Sequence, residues 1–260
     1  NDQASNMKDG AVVVSGDLTY DKLMDALSPF VKGNEGTKES AAADGYVKKT
    51  IQIDKNLRKI DASSVIDVIF TQSDEVSARM VVPEKWSRYF YMKYGDGCLE
   101  AGVEESSKLS NHNGEWNERV KLYVSAPSLS VLSLSGASSA QIDHFKLESD
   151  LMLDCSGASN IAIKSVNGHG ALKLDFSGAS NFAVENVAVN VVKADVCGAS
   201  HISLGHAEAE EINEDISGCS NVSVAGRFNK VMVDVSGASK STVKGEAKKA
   251  TVSASGVSKI

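Results

Sequence analysis

The sequence predicts an all-β chain wound as a right-handed parallel β-helix, and three observations carry that prediction. The motif SGAS, or a near-copy (CGAS, SGCS, SGVS), recurs seven times in the second half of the chain. Its glycines, Gly136, Gly157, Gly178, Gly198, Gly218, Gly237 and Gly256, are spaced by 21, 21, 20, 20, 19 and 19 residues. On both sides of each glycine apolar and polar residues alternate, the mark of strands with one buried face. A period near 20 residues is too short for a helix pair. It suits one coil of a β-helix, in which each strand pairs with its equivalent one coil along. The right hand follows from the general preference of parallel crossover connections.

From the N-terminus, the first expected element is a helix. In LTYDKLMDALSPFVKG, Leu23, Leu27 and Phe30 share one helical face, and Asp17 or Thr19 can cap it. GNEGTKESAAADG then reads as a flexible linker. Residues 1–46 therefore form an N-terminal segment and 47–260 the β-helix, with the helix expected to cover an open end of the solenoid. Between 47 and 128 the repeat is blurred. IDASSVIDVIF (Ile60–Phe70) reads as a worn coil with Ser63 in the glycine place, and VSARMVV, CLEAGV and VKLYVSAP read as further strands. Longer loops part them, notably Glu104–Arg119, so the expectation is the same solenoid with insertions, then regular coils over 129–260.

In the regular coils, alternate residues fall into columns. Four before each glycine stand Leu132, Leu153, Leu174, Ala194, Glu214, Val233 and Val252. Four after stand Ala140, Ile161, Phe182, Ile202, Val222, Ser241 and Ile260. A single coil cannot bury its own apolar face, and stacking gives each one a lid and a floor. The glycine allows a sharp turn where a Cβ would collide. The serine two after each glycine forms a further column. If alternation runs through the corner, its hydroxyls point inward and bond along the axis; if the corner resets parity, the alanine is inside.

Bulk properties exclude several classes. A net charge of −7 argues against nucleic acid, whose phosphates call for a basic face. No run of eighteen apolar residues exists to span a bilayer. The chain opens on NDQASNMKDG without an initiator Met, as a processed or trimmed chain does. Cys98, Cys155, Cys197 and Cys219 lack metal spacing and are expected as small, partly apolar fillers. The five histidines share no ligand spacing and are expected at the surface.

The order KKTIQIDKNLRKIDASSVIDVIFTQSDE, then VKLYVSAPSLSVLSLSGASS, then serial SGAS coils resembles the putative auto-transporter adhesin, head GIN domain family, over roughly residues 47–260. The resemblance implies a right-handed parallel β-helix in an exported bacterial protein, of a kind common in gut Bacteroidetes. It implies no established enzyme activity and supplies no catalytic residues. The expected function is a non-enzymatic adhesion or interaction module outside the cytoplasm (cell surface, outer membrane or periplasm) that binds glycan or surface protein. Two other classes stay open: a lyase-like carbohydrate-active enzyme, and a scaffold that polymerises end to end as a homo-oligomer.

Three features are candidates for chemistry. Asp154, Asp175, Asp195, Asp215 and Asp234 stand three before successive glycines, a stack of like charges on the outer face. The stack could bind Ca²⁺ or another hard cation, the one cofactor considered, or hydrogen-bond glycan hydroxyls. Against this, each Asp could accept from Ser hydroxyls and turn amides at the corner. Glu214 interrupts an apolar column, so either a bulge swings it outward or it occupies a polar pocket, where it would titrate high. Trp86, in WSRYFYMKY, and Trp116, in the long loop, are candidate contact aromatics, with packing of an edge strand by that loop as the alternative.

Overall fold

The computed structural model describes residues 6–8, 11–13, 17–31, 45–104 and 119–260. It is mostly β and forms a nearly closed β-solenoid of about 6 turns. The columns are real. Leu132 pairs with Leu153, Leu153 with Leu174, Leu174 with Ala194, Ala194 with Glu214, Glu214 with Val233 and Val233 with Val252, all in parallel register. After the corner, Ala140, Ile161, Phe182, Ile202, Val222 and Ser241 align in the same way. Beyond Ile142 the next buried residue is Phe145 rather than the residue at 144, so the strand bends there and begins a third side. One residue is lost near Gly168–Gly170, where the offset between coils falls from 21 to 20. The fall from 20 to 19 is taken by a bulge between Leu204 and His206.

The corner glycines have two reasons to be glycine. Each has a positive φ, from 71° at Gly157 to 79° at Gly198, where a Cβ is disfavoured. Each also touches the corner above: a Cβ on Gly157 would stand 2.5 Å from the Gly136 carbonyl oxygen. The approach is this close because the amide after each glycine donates to the glycine carbonyl one coil back, as Ala158 does to Gly136 and Ala179 to Gly157, both at 2.7 Å. The following serines point inward and are buried, and the corner Ala179, Ala199 and Ala238 are exposed. The serine hydroxyls do not bond one another. Ser180 Oγ donates to the Ser177 carbonyl at 2.9 Å and Ser200 Oγ to that of Cys197 at 3.1 Å, while the Ser180 amide donates to Ser200 Oγ at 3.4 Å.

The first half is not a simple run of coils with insertions. Strand Lys59–Ala62 lies between Cys98–Val103 and Val131–Leu134, and Ile66–Gln72 lies between Val120–Ala126 and Ser139–Leu147, all parallel. The coil of residues 59–72 is therefore wedged between two coils that follow it in sequence. Its corner residue is Ser64, with φ 75°, and not Ser63; Ala62 pairs with Leu134, two before Gly136. The solenoid is closed at this end by antiparallel strands. Tyr46–Ile51 pairs with Ser77–Pro83, which pairs with Val120–Ala126, and Phe90–Gly95 pairs with Cys98–Val103. Antiparallel pairing ends the stacking rule, since the next parallel coil has no matching edge.

The N-terminal helix does not perform that capping. Tyr20–Val31 lies on the outer face of the solenoid, where Leu18, Leu23, Ala26 and Leu27 pack on Ala162 and Ala183. Those alanines project outward where later coils carry Ser203, Ser223 and Thr242, and small side chains let a helix approach. Thr19 is the cap, accepting from the Lys22 amide at 3.3 Å. Thr19→Ala is expected to weaken helix docking by about 1 kcal/mol, read as faster amide exchange over residues 20–27 with the SGAS coils unchanged. The side chain of Phe30 and the 33–44 part of the linker expectation lie outside what is described.

Candidate functional site

The acidic residues project from the strand that precedes each corner. There the burial pattern alternates, Leu and Val inward and Asp outward, because each strand has one face on the core. Register places Asp154, Asp175, Asp195, Asp215 and Asp234 in single file, about 4.8 Å apart. The file is longer than the sequence reading expected. With Ser64 as the first corner, Asp61 and Glu100 join it beyond Ser133.

The expected offset by Ser hydroxyls and turn amides is nearly absent. Ser133 Oγ lies 3.4 Å from Asp154 Oδ2. Among the described residues, the carboxylates of Asp175, Asp195, Asp215 and Asp234 have no hydrogen-bond or ion-pair partner in the fold. Partial burial, then the charges of Asp154 and Asp195, raise the Asp175 carboxyl above its ordinary value. Alongside the file run Met152, Lys173, Lys193, Asn213, Met232 and Thr251, the other outward column of the same strands, and the two columns line a groove of about 610 Å³. Lys173 is held by Asp150 at 2.7 Å, and that contact lowers the Asp150 carboxyl. Among the described residues no three His, Cys, Asp or Glu side chains are grouped so as to hold a metal ion; the carboxylates form a row.

Glu214 is not swung outward. Its register is unbroken and it is 4 % exposed, in the core between Ala194 and Val233. Ser241 Oγ donates to Glu214 Oε2 at 2.6 Å, while Oε1 is buried without a partner. Burial raises its carboxyl to about 7, the Ser241 bond opposing only in part. Ser241 was legible as the one polar residue of its own column, but the two exceptions were not connected.

Trp86 is 5 % exposed and belongs to the core with Phe90, so it is no surface platform. Trp116 lies outside the described residues. Tyr94 donates to Asp54 at 2.6 Å, and Arg79 covers the Tyr123 ring at 4.8 Å. Of the cysteines, all free, only Cys155 is a fully buried filler; Cys219 is exposed, and Cys98 and Cys197 are half-buried. His144, His169 and His206 are exposed, as expected, and His201 is half-buried. No described helix is long and apolar enough to cross a membrane.

Comparison with known proteins bears on this arrangement. Residues 56–225 match the family described as putative auto-transporter adhesin, head GIN domain. The chain belongs to that family. Among solved structures, a protein described as a putative adhesin from Bacteroides fragilis aligns with 84% of this chain and 98% of its own, at 16% identity and a TM-score of 0.61. A putative adhesin from Parabacteroides distasonis aligns over 83% and 97%, at 15% identity and 0.62. A protein from the same species described as a putative lipid binding protein aligns over 84% and 97%, at 14% and 0.59. At these identities the likeness is one of fold. No curated protein matches. The head GIN match takes in Asp61, Asp154, Asp175, Asp195 and Asp215, and stops short of Asp234 and of the N-terminal helix.

Proposed function

We propose that this head GIN domain is a non-enzymatic adhesion module of an exported bacterial protein, and that its carboxylate face holds the ligand, a hydroxyl-rich glycan or a protein surface. The observation that carries the reading is the run of four successive carboxylates, Asp175, Asp195, Asp215 and Asp234, without partners inside the described fold, whereas Asp61 is paired with Lys59 at 3.1 Å. Like charges about 4.8 Å apart cost up to about 1 kcal/mol per neighbouring pair in water. A ligand that donates hydrogen bonds to them offsets that cost. The face is rigid because every strand beneath it is paired on both sides from Leu151 to Val235. Repeated donors at matched spacing on a polymer would then add weak contacts into avidity.

The test is a glycan-array screen with and without Ca²⁺, repeated on Asp175→Asn/Asp195→Asn. The variant is expected to bind at least about tenfold more weakly, each lost charge-assisted bond contributing about 1.5–3 kcal/mol. It is also expected to be more stable by about 1 kcal/mol, because the repulsion is relieved. Unchanged binding would make the file part of the scaffold alone. A lyase-like enzyme is the second reading, and one observation favours it: Lys173 and Lys193 share the groove with the carboxylates. Incubation with acidic polysaccharides, followed by ultraviolet absorbance of new unsaturated ends, separates the two.

A further inference from the structure

We propose that Glu214 and Ser241 form a pH-sensitive clasp that holds the coil of residues 240–259 to the rest of the solenoid. The contact crosses the interior between adjacent turns. Glu214, at the end of His201–Ile216, stands four before Gly218, and Ser241, at the start of Lys240–Ala254, stands four after Gly237. Ser241 in turn donates its amide to the Lys259 carbonyl at 2.9 Å. One carboxyl thus reaches through a buried hydroxyl to the last turn of the described coil.

The environment decides which protonation state the clasp tolerates. Above and below Glu214 stand Ala194 and Val233, and nothing ionisable faces it. Lys193 and Asp195 on one neighbouring strand, Lys230 and Asp234 on the other, Lys249 beyond, and Asp215 beside it all lie on the outer surface, exposed or half-buried. A neutral carboxyl needs little more than the Ser241 bond. An ionised one leaves a buried anionic Oε1 with no donor, and such a group is costly until water reaches it. Titration near neutral pH, at about 7, makes the two states accessible in the same range.

Hydrogen exchange on the full chain, corrected for the intrinsic pH dependence of amide chemistry, tests this. Between pH 6 and pH 8.5 the wild-type protection of residues 230–259 is expected to fall at least about tenfold relative to residues 151–176. In Glu214→Gln the same residues are expected to stay protected at both values. Ser241→Ala is expected to lose protection there already at pH 6. Wild-type protection that is flat with pH overturns the proposal without any variant. So does a Ser241→Ala protein as protected at pH 6 as the wild type.

Discussion

Gly157→Ala is expected to lower the stability of the solenoid by about 3–5 kcal/mol. A left-handed backbone with a Cβ costs about 1–2 kcal/mol. The larger part comes from the corner above, because the new Cβ would stand 2.5 Å from the Gly136 carbonyl oxygen. That oxygen accepts from the Ala158 amide, so relief of the clash stretches or breaks a buried bond, at about 1–3 kcal/mol for each group left unpaired. Ser64 separates the two causes. It holds a φ of 75° with a side chain, in a corner whose preceding strand pairs with Cys98–Val103, a strand that does not lead into a corner glycine. Left-handed strain alone is therefore tolerated. Thermal unfolding would be the measure, with a midpoint about 6–20 °C lower at this chain length. The exposed Ala179→Ser, whose side chain points to solvent, should move it by less than about a degree. A Gly157→Ala midpoint within two degrees of the wild type would mean the corners do not stack as described.

That separation also explains where the sequence was legible. The columns could be read because one face of each strand is buried, so a single slip in register would expose every apolar residue, and the glycines mark the register independently. The first half lacks both markers. Its corner is a serine, and taking Ser63 instead of Ser64 shifted the frame by one residue, which hid Asp61 from the acidic file. The wedging of residues 59–72 between later coils leaves no local trace, because parallel pairing fixes which residues align and is silent on the order in which the chain visits the coils. The helix was recognisable from its period of 3.6, but its docking site was not. Ala162 and Ala183 look like ordinary outward residues until a helix is seen on them.

The carboxylate file and Glu214 show opposite ways in which a polar column can resolve. Asp175 and its neighbours were given partners from nearby Ser residues, yet the corner serines turn inward and spend their hydroxyls on the turn carbonyls. Proximity in sequence did not become proximity in space, because the corner keeps the strand's alternation. For Glu214 the sequence leaves an outward bulge and a polar pocket both open, and the inward position bonded to Ser241 is the one that forms. Its partner stands on the far side of the corner in the next copy, and aligning like positions between copies does not bring the two together.

The second large effect follows from that buried carboxyl. Its folded-state value is about 7 against an ordinary 4.5, so between those pH values the folded chain keeps a proton that the unfolded chain has released. Stability therefore declines as pH rises through this window; Glu214 is harmless below about 4.5, and its full penalty is present above about 7. At about 1.4 kcal/mol per unit the penalty is about 3.5 kcal/mol at most. Glu214→Gln keeps an acceptor for Ser241 and removes the charge, so it should be more stable than the wild type by about 2–3 kcal/mol at pH 8, with the advantage gone near pH 4.5. Only the difference between the two proteins isolates Glu214, because Asp175, also raised, titrates with the same sign in both. Denaturant unfolding of the pair across pH 4.5–8.5 measures that difference. A constant gap across the range would mean that water already reaches Oε1 in the folded protein, since only a carboxyl kept dry by the coil above it ties its proton to the fold.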